Sequence, residues 1–101
     1  MKICIVVSDY YKEISDNLLK GSIKELKKNG YKKIMIKKVS GAFEIPITIS
    51  QNIKKFHAFI ALGCIIKGQT DHYYFISQAV TNGLMDLSIK FKKPVGFGIL
   101  T

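Results

Sequence analysis

This sequence predicts an α/β fold, with a four-stranded parallel sheet between helical layers, and two observations carry that expectation. Segments of strand character alternate with segments of helical spacing three times, and the series closes on a strand. The strand segments are short continuous apolar runs, the pattern of strands covered on both faces. Alternation of this kind implies right-handed crossovers with helices on both faces of the sheet, a three-layer sandwich.

Each element has its own warrant. Ile3-Cys4-Ile5-Val6-Val7 is a mostly β-branched run and forms the first strand. Over residues 16–26 the spacing turns helical: Leu18, Leu19, Ile23 and Leu26 share one face, and Glu25 and the lysines take the other. Ser15 or Asp16 is expected to cap this helix, and Asn29-Gly30 to end it in the left-handed conformation. Residues 33–39 hold a second strand around Ile34 and Ile36, and Ser40-Gly41-Ala42 is a turn. Residues 43–55 read as the second helix, with Pro46 in its first turn, where a missing N–H costs nothing. Residues 56–64 give the third strand, and Gly68-Gln69-Thr70-Asp71 a loop and helix cap. Ile76, Val80, Leu84, Leu87 and Phe91 then recur at helical spacing through a long third helix. Pro94 ends that segment, and residues 95–101 form the fourth strand.

Composition narrows the function classes. With 48% hydrophobic and 23% charged residues the chain can bury a core, which excludes disorder, and its length suits one domain over residues 1–101. The net charge of +9 arises from 16 basic against 7 acidic residues, and every basic residue is lysine. Without arginine there is no planar fork to read guanine edges or grip a phosphate at two points, so nucleic acid is not an expected partner. The lysines fall in pairs, mostly at predicted helix ends and turns, where the helix dipole favours cations and a solvated face is the simplest reading. Cys4 and Cys64 lie within apolar runs and are expected as buried thiols, not a disulfide. No apolar run approaches a membrane span and the start lacks a signal-peptide pattern, so a soluble cytoplasmic protein is expected. The sequence holds no metal-ligand cluster, dinucleotide fingerprint or Walker loop.

Ligands in open parallel sheets bind at the carboxyl ends of the strands, and those ends are where polar and aromatic residues gather. The first strand runs into Ser8-Asp9-Tyr10-Tyr11, whose tyrosines could stack on a flat ring or pack over the first helix. After the second strand comes Ser40-Gly41-Ala42-Phe43-Glu44, where Glu44 could accept from ligand hydroxyls or simply complement the helix dipole. The third strand leads through Gly63-Cys64-Ile65-Ile66-Lys67-Gly68-Gln69-Thr70-Asp71-His72 into a helix start, a ready anion site with Lys67 as an added cation. His72 in that first turn is disfavoured as imidazolium by the dipole and so is a candidate proton acceptor, or else a structural histidine. His57, in a lysine-rich turn, reads as surface. In the fourth strand Gly96 and Gly98 flank Phe97, which could be core or could face a ligand ring.

Three blocks of this chain, Gly41-Ala42-Phe43-Glu44-Ile45-Pro46, residues 61–72 and residues 94–101, resemble the lumazine synthase family of riboflavin biosynthesis in order and spacing, and the resemblance covers essentially the whole chain. It implies a flavodoxin-like sheet order and the condensation of 5-amino-6-(ribitylamino)uracil with 3,4-dihydroxy-2-butanone 4-phosphate to 6,7-dimethyl-8-ribityllumazine. Phosphate and water are released, and no cofactor or metal is used. By the family pattern Tyr10 stacks on the pyrimidine, and Ala42, Phe43 and Glu44 line the pyrimidine and ribityl site. Cys64, Ile65 and Ile66 offer backbone contacts, Gln69 and Thr70 hold the phosphate with Lys67 and Gly68 nearby, and His72 transfers the proton. Phe97 closes the pocket of an adjacent subunit, since family sites lie between subunits of a homopentamer or its multiples. Family members continue past the fourth strand with C-terminal helices that supply an arginine for the phosphate and a downstream lysine, so the domain is expected to be incomplete at its C-terminal end. That departure motivates an alternative, a pentamer-forming assembly or ligand-binding protein with little turnover.

Overall fold

A computed structural model describes residues 1–65 and 73–100 of the chain. Its elements are β1 (Lys2–Ser8), α1 (Lys12–Lys28), β2 (Lys33–Val39), α2 (Ile45–Asn52), β3 (Ala58–Cys64), α3 (Tyr73–Phe91) and β4 (Val95–Leu100), with one 3-10 turn at Ala42–Glu44 leading into α2. The sheet is wholly parallel and ordered β2-β1-β3-β4, the flavodoxin-like arrangement. Register runs from Lys2↔Lys33 to Ser8↔Val39, from Ile3↔Ala58 to Val7↔Leu62, and from Phe59↔Val95 to Cys64↔Leu100.

Winding reverses after β2, so crossovers of one hand must place α1 on the opposite face from α2 and α3. The two cores show that division. Ile5, Val7 and Leu62 pack with Leu18, Leu19, Ile23 and Leu26 of α1, while Cys4, Val6, Phe59 and Ala61 pack with Ile45, Ile49, Val80 and Leu84 of α2 and α3. β1 is central and every residue from Ile3 to Ser8 is buried, as its continuous apolar run predicts. β2 is different: at the sheet edge it leaves Met35 and Ile36 exposed, and its lysines face solvent or the rim.

Several boundaries differ from the sequence expectation for identifiable reasons. α1 begins at Lys12, four residues before Asp16, so neither Ser15 nor Asp16 caps it. Ser15 instead lies buried in the first turn with its hydroxyl donating to Lys12 O at 3.0 Å. The second helix is shorter than residues 43–55: it starts through the 3-10 turn, ends at Asn52, and residues 53–55 form turns. Pro46 does sit in its first turn. β3 starts at Ala58, two residues later than expected, because the chain is still bending at His57, whose N–H bonds to Lys2 O at 2.8 Å. The side chain of His57 also has a partner, its Nδ1 accepting the Lys2 N–H at 2.9 Å.

The end of α1 follows its prediction closely. Gly30 has φ +90°, Tyr31 N–H bonds to Leu26 O at 3.0 Å and Gly30 N–H to Lys27 O at 3.1 Å. This is the paired closure of a Schellman motif, and a side chain at position 30 would be strained in that conformation. α2 is closed by a distant cation. Lys93 Nζ donates to Ile53 O and, at 2.8 Å, to Phe56 O. Ser88 Oγ of α3 in turn donates to Lys93 O at 2.9 Å, holding the α3–β4 turn against α3 while the Lys93 ammonium ties it to the α2–β3 turn.

Strand starts and helix ends share one end of a parallel α/β domain. Here that end carries the exposed Lys2, Lys27, Lys28, Lys32, Lys33, Lys54, Lys55, Lys90 and Lys92. The opposite end carries Asp9, Glu13, Asp16 and Glu44 together with the exposed Lys12 and Lys38.

Candidate active site

The reversal of winding lies between β1 and β3, so a crevice opens at the carboxyl ends of these strands. β1 ends at the buried Ser8, and Asp9 N–H donates to Val39 O at 3.0 Å, joining the ends of β1 and β2. The chain then turns outward at two tyrosines. Tyr10 is 72% exposed and Tyr11 is half-buried, and their rings meet edge to face at 4.9 Å and 74°. Tyr11 precedes α1, and its carbonyl accepts the Ser15 N–H at 3.0 Å. Burial, then Tyr10 and Cys64, push the Tyr11 phenol above its ordinary value, so it is a protonated donor at neutral pH.

The second wall comes from the end of β2. Gly41 is extended, Ala42 is buried, and the 3-10 turn places Glu44 immediately before α2. The Glu44 side chain makes no cap bond to the helix. Its Oε1 accepts the Ser40 hydroxyl at 2.8 Å, which fixes the carboxylate at the exposed rim and leaves it further acceptor capacity. Glu44 thus stands immediately before α2, where a carboxylate complements the helix dipole, without making a cap bond. Phe43, 64% exposed, and Glu44 also line a shallow depression of about 290 Å³ with Pro46, Ile47, Ala79 and Val80.

The third wall is the end of β3. A Cβ at position 63 would lie 3.0 Å from Ser8 Oγ, so glycine there makes room for the Ser8 hydroxyl between β1 and β3. Cys64 is half-buried, not buried as expected, because it is the last residue of its strand, and Ile65 beyond it is buried. Cys4 lies deep in the sheet. Burial pushes its thiol up, against a smaller lowering from Lys37, so it stays protonated and inert.

The structure thus brings Tyr10, Ala42, Phe43, Glu44, Cys64 and Ile65 to one end of the sheet. Ile66, Lys67, Gly68, Gln69, Thr70 and His72 lie outside the described residues. Phe97 is not brought to this crevice within the chain. It pairs with Ala61, three residues before the end of β3, and lines a separate groove of about 300 Å³ with Leu84, Met85, Ser88 and Ile89. Sequence reasoning gave no role to Ser40, which orients Glu44; a serine four residues before the carboxylate across a Gly-containing turn was the available signal.

A wholly parallel four-stranded sheet in the order β2-β1-β3-β4 between helical layers defines a flavodoxin-like α/β protein. Comparison with known proteins gives the family. The family model for 6,7-dimethyl-8-ribityllumazine synthase matches residues 1–101, and the chain belongs to that family. It is 38% identical over 101 residues to the 6,7-dimethyl-8-ribityllumazine synthase of Arthrobacter sp. (strain FB24), covering 100% of this chain and 63% of that relative. The protein of that name from Buchnera aphidicola subsp. Baizongia pistaciae is 46% identical over 104 residues, covering 98% of this chain and 65% of the relative. The one from Pyrococcus furiosus is 37% identical over 101 residues, covering 99% and 64%. The chain therefore spans less than two thirds of the length of these relatives.

Proposed function

We propose that this chain acts in riboflavin biosynthesis as a lumazine synthase, condensing 5-amino-6-(ribitylamino)uracil with 3,4-dihydroxy-2-butanone 4-phosphate to 6,7-dimethyl-8-ribityllumazine. The observation that carries the reading is the placement of Tyr10, Glu44 and Cys64-Ile65 at the switch point of a sheet whose whole length matches the family. In this reading Tyr10 stacks on the pyrimidine. Ala42 and Phe43 line its pocket, and Glu44, held by Ser40, accepts from ribityl hydroxyls. The backbone of Cys64, Ile65 and Ile66 meets the polar edge of the ring. Gln69 and Thr70 hold the phosphate at a helix start beside Lys67 and Gly68, and His72 moves the proton. The reaction needs neither cofactor nor metal, and the setting is the cytoplasm. No helix among the described residues is long and apolar enough to cross a membrane.

Phe97 belongs in this reading to the site of a neighbouring copy in a homopentamer or its multiples, which accords with its 50% exposure and its distance from its own crevice. Mixing the two substrates with the protein and following lumazine absorbance tests the assignment. Formation well above the spontaneous rate is expected, and His72→Ala should slow it by roughly 100-fold or more. A rate equal to the spontaneous one removes the enzyme reading. The exposed groove beside Phe97 favours a second reading, an assembling ligand-binding protein. Sedimentation as a large assembly without turnover would select it.

A further inference from the structure

The tyrosine that follows the stacking residue has no part in the roles assigned above, yet it is the better-held of the two. Tyr11 is fixed through its backbone, since its carbonyl opens the hydrogen-bonding of α1 and the Asp9 N–H two residues earlier is pinned to Val39 O. Its ring is half-buried, whereas the Tyr10 ring is 72% exposed. An exposed aromatic side chain samples several rotamers, and a ligand that stacks on it must select one. The edge of one ring against the face of the other, at 4.9 Å and 74°, is the arrangement that aromatic quadrupoles favour.

We infer that Tyr11 is the positioning residue for Tyr10: it holds the Tyr10 ring in the rotamer that presents a free face to the planar pyrimidine ring of the substrate. The inference rests on the proposed stacking role of Tyr10. It assigns to Tyr11 the preorganisation of that contact, not contact with the reacting atoms. Removing the Tyr11 ring leaves every ligand contact of Tyr10 available but requires the ligand to order the ring itself, so affinity falls while chemistry is untouched. In kinetic terms KM for the pyrimidine rises and kcat does not change.

The experiment is equilibrium binding of 6,7-dimethyl-8-ribityllumazine, followed by its fluorescence, to the wild-type chain and to Tyr10→Ala, Tyr11→Ala, Tyr11→Leu and Tyr11→Phe. Tyr11→Leu keeps apolar bulk without a ring, so a folded variant is at hand if Tyr11→Ala does not fold. Expected is a three- to tenfold weaker affinity for Tyr11→Ala and Tyr11→Leu, near wild-type affinity for Tyr11→Phe, and the largest loss for Tyr10→Ala. If Tyr10→Ala binds as wild type, the stacking reading itself fails. If Tyr10→Ala weakens binding but Tyr11→Leu does not, only the positioning role is overturned. Tyr11→Phe as weak as Tyr11→Leu would also overturn it, because the ring edge would then not be the cause.

Discussion

Lys93 shows how far a single residue can depart from the role its neighbours play. Lysines elsewhere at this end of the molecule are exposed, but the Lys93 ammonium turns inward and donates to two carbonyls, Ile53 O and Phe56 O, at the close of α2. Ile53 is the residue that caps α2 and Phe56 lies in the turn beyond it, and a cation is the favoured group near a helix C-terminus. Lys93→Met keeps most of the aliphatic stem and removes both bonds, so it should lower stability by about 1–3 kcal/mol. Urea denaturation measures this through the midpoint, with Lys54→Met, on an exposed side chain, expected within about 0.5 kcal/mol of wild type. Sequence pairing alone made Lys92 and Lys93 alike. Only the tertiary path of the 53–56 turn past residue 93 separates them.

At the scale of elements, the two edge strands are protected unequally. β2 carries Lys33, Lys37 and Lys38, the kind of charge that discourages strand addition, whereas β4 reads Val-Gly-Phe-Gly-Ile-Leu with no charge at all. Beside β4, the outer face of α3 leaves Met85 and Ile89 exposed above Phe97, forming the apolar groove. If this region is where copies meet, Ile89→Lys should shift the protein toward smaller species in sedimentation velocity while leaving its circular dichroism unchanged. An unchanged distribution would place the contact elsewhere. The strands are legible because their residues repeat a simple apolar pattern: β2 spans the expected 33–39, and β1 extends one residue beyond its apolar run at each end. Helix starts were less legible. Tyr11, Lys12 and Glu13 do not announce α1, which begins without a side-chain cap, and the 3-10 turn at Ala42–Glu44, closed by Glu44 N–H on Gly41 O, is too short to show a periodic pattern.

Across the whole molecule, the sequence already placed the candidate residues at strand ends, and the sheet order adds that the ends of β1 and β3 are neighbours at the switch point. Tyr10, Glu44 and Cys64 are therefore candidates that the sequence offers one by one, while the Ser40–Glu44 bond and the Tyr10–Tyr11 ring contact need the folded chain.

The same parallel arrangement has a further effect through its unequal ends. Nine exposed lysines stand at the end away from the crevice, whereas the other end mixes Asp9, Glu13, Asp16 and Glu44 with Lys12 and Lys38. In any ring of like-oriented copies these lysine-bearing ends lie side by side and repel. Raising ionic strength from about 10 mM to about 100 mM shortens the screening length from about 30 Å to about 10 Å, which should promote assembly instead of dissolving it. Light scattering across that range checks the sign, and assembly that falls apart with added salt would contradict it. Should copies of this chain assemble in that way, the salt of the surroundings would set how closely the lysine-bearing ends can stand.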